Sequence, residues 1–170
     1  MASGQLRHRE RDTGAAQEVG DVTTTLGEQF LRAGTDTITH RGRIVKALVR
    51  IPVADGAEIV VRRRAVGGAR PQALKLAVNS GLLEVNERSE TAVALWSTTS
   101  PDTVSLVVRG AEATTIDVWN AWSMGGVDCS WIGNAGMVTK TTAAGTVLRC
   151  SDGIGSADFS DLEVEIAVVD

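Results

Sequence analysis

A chain of 170 residues is long enough for one domain with a full core and short for two. The apolar fraction of 43% is that of a globular protein, and a net charge of −4 argues against non-specific binding to nucleic acid or to an anionic membrane. No run of about 20 apolar residues exists to cross a membrane, and the opening Met-Ala-Ser-Gly-Gln-Leu-Arg-His lacks the apolar segment of a secretory signal.

Synthesis and folding in a reducing cytoplasm is therefore the expectation, with Cys129 and Cys150 as free thiols rather than a disulfide. Residues 1–40 read as a polar N-terminal arm. Up to Gly20 the only apolar residues larger than Ala are Met1, Leu6 and Val19, a composition that cannot bury itself. Residues 26–33 carry the punctuation of a short helix: Thr25 to cap it, Glu28 three positions later, and Gly34 after the last turn. Leu26 and Phe30 fall four apart on one face, with Leu31 beside them. A helix this short is marginal alone. It either docks on another surface, such as a neighbouring subunit, or stays a loosely packed leader.

From Arg43 the pattern turns to β, and residues 41–170 read as one β-sandwich domain. Val45, Ala47, Val49 and Ile51 alternate with more polar neighbours. Asp55-Gly56 is a turn signal, and Ile59–Ala65 reads as the returning strand of a hairpin. Further strands are predicted over 73–78, 82–85, 91–96, 103–109, 114–119, 136–139 and 146–150. The cleanest period of two is the last, 162–169, with Leu162, Val164, Ile166 and Val168 on one side and Glu163 and Glu165 on the other. Short strands, polar turns and no long helical period define an all-β, antiparallel fold, with a jelly roll first and an immunoglobulin-like sandwich second.

Charge is unevenly placed. Residues 41–70 hold eight basic and two acidic residues, whereas 117–170 hold eight acidic and two basic ones. Either the two parts meet inside one fold, or the basic face of one copy meets the acidic face of the next. On the second view Arg62, Arg63 and Arg64 join Leu26, Phe30 and Leu31 as assembly contacts.

Two groups could bind a ligand. Asp152, Asp158 and Asp161 lie within ten residues, among serines and freed by Gly153 and Gly155. Calcium takes six to eight oxygens from flexible loops of this kind. The segment lacks the spacing of an EF-hand, and the alternative is a turn whose aspartates accept backbone N–H bonds. Trp119 and Trp122, three apart in a strand, point to opposite faces. An exposed indole with Asn120 and Asn134 nearby would suit a sugar ring, whereas core packing is the plainer role of a tryptophan. Catalytic signals are thin. His8 and His40, the only histidines, lie in the arm, away from any rigid nucleophile.

The segment Asp158-Phe159-Ser160-Asp161-Leu162-Glu163-Val164 resembles the Asp-Phe-Asn-Asp-Leu-Val-Val ending of some bacterial β-domains of secreted and surface proteins. The longer series from Trp119 to Leu162 is similar to uncharacterised β-sandwich proteins of actinobacteria, over roughly residues 90–168. The resemblance implies a β-sandwich and no particular activity. Glu163 stands where the commoner ending has an apolar residue.

Together these readings predict a non-enzymatic structural or assembly protein, such as a decoration or stabilising component of a bacteriophage capsid. Its arm would dock on other copies of itself or on a larger protein scaffold. The alternative is a carbohydrate-binding module, with or without calcium. A hydrolase whose acids cannot be located from sequence is a third reading.

Overall fold

The computed structural model describes residues 24–170. The chain enters through helix α1, Leu26–Ala33, whose ends are closed as its sequence requires. Glu28 N–H donates to Thr25 Oγ1 (3.2 Å), and Thr25 N–H donates to Glu28 Oε2 (2.8 Å), a reciprocal capping box. Gly34 (φ 63°) stops the helix in the left-handed region and donates to the Phe30 and Leu31 carbonyls.

The helix docks on its own chain. Leu26 is fully buried against Val45 and Phe159. Leu26 N–H donates to Asn134 Oδ1 (3.2 Å) and Gly27 N–H to Gly133 O (2.9 Å), so two open amides of the first turn are received by one loop. This corrects the predicted arm over the part described. Leu26 is not an assembly contact, Phe30 packs at the edge of the same cluster, and only Leu31, 84% exposed, faces solvent. Residue 40 is no domain boundary either, because strand β1 (Thr37–His40) forms a hairpin with β2 (Arg43–Lys46). The arm before residue 24, including His8, lies outside the described residues.

Twelve further strands follow: β3 (Val49–Pro52), β4 (Glu58–Val66), β5 (Gln72–Val78), β6 (Leu82–Val85), β7 (Arg88–Glu90), β8 (Ala92–Trp96), β9 (Thr103–Arg109), β10 (Thr115–Met124), β11 (Val127–Cys129), β12 (Gly136–Thr142), β13 (Gly145–Ser151) and β14 (Leu162–Val169). They form two antiparallel sheets. The larger has nine strands in the order β1-β2-β12-β13-β14-β4-β9-β6-β7. The smaller runs β11-β10-β5-β8, with β3 pairing the first half of β10 on the side where β11 pairs its end.

The core lies between the sheets. Ile59, Val61, Leu106, Leu148, Val164 and Ile166 come from the larger sheet, and Leu74, Leu76, Ile116 and Val118 from the smaller. A second cluster of Leu26, Val45 and Phe159 sits on the other face of the larger sheet. Val138 packs there, while its neighbour Met137 belongs to the main core, as the alternation of strand side chains demands. Gly136 is needed under this cluster: a Cβ at that position would come within 2.8 Å of Val45 and 3.1 Å of Leu26.

Two predicted elements differ. The run 45–51 breaks into β2 and β3 at Ala47, whose N–H donates to Asp36 O (2.8 Å) and whose carbonyl accepts Trp131 Nε1–H (3.0 Å). The Asp55-Gly56 turn does not make a hairpin. β3 pairs with β10 in one sheet and β4 with β14 and β9 in the other. The turn carries the chain between sheets because Asp55 Oδ1 accepts Gly110 N–H (2.9 Å) and Gly56 N–H donates to Val108 O (2.8 Å).

Candidate functional site: a basic groove on the larger sheet

Strands β2, β12, β13 and β14, with the end of β4 and the turn at Phe159, border a groove of about 690 Å³. Its lining holds five cations, Arg43, Lys46, Arg64, Lys140 and Arg149, against two carboxylates, Asp158 and Glu163. Val138, Val147, Thr139 and Thr142 supply less polar surface between them. Register brings these together: Val138 stands opposite Arg149, Lys140 opposite Val147, and Arg149 opposite Glu163.

The cations differ in how far they are committed. Arg149 Nε donates to Glu163 Oε2 at 3.1 Å. Arg64 pairs with Glu165, a side chain only 2% exposed that also receives Arg62 at 3.3 Å. A bulge in the β14–β4 ladder at Glu163/Val164 lets Arg62 and Arg64 reach the same carboxylate. Arg43 lies 5.9 Å from the centre of the Phe159 ring. Phe159 is itself held in a left-handed backbone (φ 57°) by its N–H bond to Ser151 Oγ (2.6 Å). Among the described residues, Arg43, Lys46 and Lys140 join no ion pair.

The residues singled out from sequence are spent on the fold. Trp122 is fully buried, and Asn120, also buried, donates Nδ2–H to Ser151 O (2.8 Å). Asn134 links the helix to the acidic turn, accepting from Leu26 N–H and donating to Gly155 O (2.6 Å). Trp122 and Asn120 are closed to a sugar, and the half-buried Asn134 amide is spent on the backbone of the helix and the turn. Trp119 is partly buried and stacks on Trp131, with ring centres 5.0 Å apart and planes at 28°. Trp131, which was not among the residues singled out from sequence, is half exposed and holds a left-handed backbone (φ 61°).

The acidic turn is spent on hydrogen bonds within the chain, with Asp152 buried, Asp161 half-buried and Asp158 exposed at the groove, which tells against the calcium reading. Asp152 is fully buried, accepts from Arg70 Nε (2.9 Å) and Gln72 Nε2 (2.9 Å), and takes Ile154 N–H (2.9 Å). Asp161 Oδ2 accepts Asp152 N–H (2.9 Å), and Asp158 Oδ1 accepts Ser160 N–H (3.2 Å). Among the described residues no three His, Cys, Asp or Glu side chains are grouped to hold a metal. The turn does what Asp-rich turns do for backbone amides. Burial is the main cause that pushes the Asp161 carboxyl above its ordinary range; the neighbouring Asp152 and Asp158 charges push the same way, and the bond from Asp152 N–H opposes them. Cys129 and Cys150 are free, and burial above all, with Asp161 adding to it, keeps the Cys150 thiol protonated.

Arg62, Arg63 and Arg64 also make ion pairs within the chain, while Arg64 lines the groove. Arg62 and Arg64 serve Glu165, while Arg63 pairs with Asp102 (2.7 Å) and donates to Ser100 O (2.9 Å). With Arg50–Asp117 (3.0 Å) and Arg70–Asp152, these pairs join the basic and acidic parts of the sequence inside one chain. The groove was missed because its cations come from separate strands. A signal existed: Lys140 and Arg149 are the only basic residues of 117–170, and both line it. No protein-family model, curated protein or solved structure matches this chain.

Proposed function

We propose that the protein is a non-catalytic docking module that seats an anionic segment of an assembly partner in the basic groove. The observation that carries this reading is the lining itself, five cations against two carboxylates on a chain whose net charge is −4. Arg43, Lys46 and Lys140, which join no ion pair among the described residues, raise the local concentration of an anion and speed its encounter. The groove's volume suits a ligand segment, since binding sites run to about 300–1,000 Å³. A particle built from repeated copies, such as a virion, is a setting that suits such a module. In this reading the groove takes over the docking role that the sequence assigned to the arm, residues 1–40.

The test is retention on immobilised polyglutamate and on heparin, two polyanions of different chemistry. The protein is expected to bind at low ionic strength, and the double variant Lys46→Glu, Lys140→Glu to pass through both columns with an unchanged melting temperature. A wild-type protein that neither column retains, or a folded variant retained as strongly as wild type, would falsify the groove as the docking site.

A further inference from the structure

The smaller sheet ends on β8, and its outer edge is open. Val78 N–H donates to Thr91 O (3.1 Å) and Ser97 N–H to Gln72 O (2.7 Å), which fixes the alternation along the strand. Thr91, Val93, Leu95 and Ser97 therefore turn their backbone groups toward β5, and Ala92, Ala94 and Trp96 turn theirs away. The Trp96 carbonyl is taken by Ser100 N–H at 2.9 Å. The donors and acceptors of Ala92 and Ala94 face outward, both residues are exposed, and among the described residues no strand pairs with β8 on that side.

Every other edge in the two sheets is blunted by a device that discourages pairing. β3 carries Arg50 and Pro52, β11 is three residues long with Asp128, and β7 is three residues long with Arg88 and Glu90. β1 is flanked by α1, where Ile38 shares a cluster with Phe30 and His40 bonds Gln29. β8, Ala-Val-Ala-Leu-Trp, has no charge, no proline and no bulge.

We infer that β8 is an assembly edge that pairs antiparallel with β8 of a second copy, about a two-fold axis through Ala94. The occupant follows from the charge of the edge. About a two-fold axis the central residue meets its own copy and each other residue meets the position equally far beyond the axis, so a strand with no charge at any of these positions sets no like charges against each other and can pair with itself. At the axis Ala94 meets Ala94, so each copy's open N–H finds the other's carbonyl. Ala92 of each copy faces Trp96 of the other, and the small side chains leave the outer face clear for two sheets to become one. This inference is independent of the groove, which lies on the other sheet.

Sedimentation or light scattering on the full chain tests it. The expected mass is twice the 17.9 kDa of one chain. Ala94→Glu is the informative variant. Lys75, which also pairs with Asp128, stands directly opposite residue 94 within the chain, so the new carboxylate has a cation beside it in the monomer, yet two carboxylates face each other across the axis. It is expected to halve the mass while the β-sheet circular dichroism is kept. Ala94→Pro, which removes a donor unused inside the chain and fixes φ at about −65° at an edge position where proline is tolerated, is the second variant and has the same expected result. Amide exchange gives a direct readout, with slow exchange at Ala94 in wild type and fast exchange in the Glu variant. A monomeric wild type, a dimer indifferent to both substitutions, or fast exchange at Ala94 within the dimer would each overturn the inference.

Discussion

Asp161 spends its Oδ2 on the Asp152 amide while burial holds its carboxyl above the ordinary aspartate pKa of about 3.9. A carboxyl whose folded pKa is raised favours the fold most when protonated. Its contribution is complete below the ordinary value and is lost as pH rises through the folded value. Asp161→Asn keeps an acceptor for Asp152 N–H and removes the charge. The variant is expected to gain on wild type as pH rises from 3 to 7, and the difference between two sets of thermal melts checks it. A constant offset across that range would remove the assigned cause. At this scale the sequence was a partial guide. The aspartates were legible as amide acceptors, because short side chains in a glycine-rich turn have few other uses. That Asp152 faces Arg70 and Gln72 was not legible, because those partners lie 82 and 80 positions away.

Helix α1 shows the same division one level up. Its capping residues are local, so its limits could be read directly. Its resting place could not, because Asn134 is 108 positions from Leu26. The helix is held by one buried leucine and two amides, so Leu26→Ala should cost about 2–5 kcal/mol, measured as a shift in the denaturant midpoint. A cost near zero would mean that the clip adds nothing to the body beneath it. Strands β9 and β14 were legible to the residue because Val104, Leu106 and Val108, and Leu162, Val164, Ile166 and Val168, recur at every second position. The β1–β2 and β6–β7 hairpins were not, because Arg41 at one turn and Asn86-Glu87 at the other adopt left-handed backbones without the Asn-Gly or Asp-Gly signature. Asp55-Gly56, which carries the hairpin signature, makes no hairpin, since its contacts to Val108 and Gly110 bend the chain across the sandwich.

For the whole molecule, a chain of net charge −4 gathers five cations in one groove of its larger sheet. The opposite charges of the two sequence parts largely cancel across β4, β10 and β14. The groove is the residue of that cancellation, and no local pattern announces it. Its binding should therefore be strongly salt-dependent. The Debye length shortens from about 10 Å at 0.1 M to about 3 Å at 1 M salt, so retention on a polyanion is expected to weaken steadily over that range. Elution that ignored ionic strength would point to apolar rather than electrostatic capture.

The face-to-face indoles of Trp119 and Trp131 give this fold an optical signature of its own. Two aromatic chromophores 5.0 Å apart, one on strand β10 and one on the loop that receives the helix, couple their electronic transitions. The resulting exciton couplet in circular dichroism registers whether that loop is seated, separately from the backbone signal of the sheets.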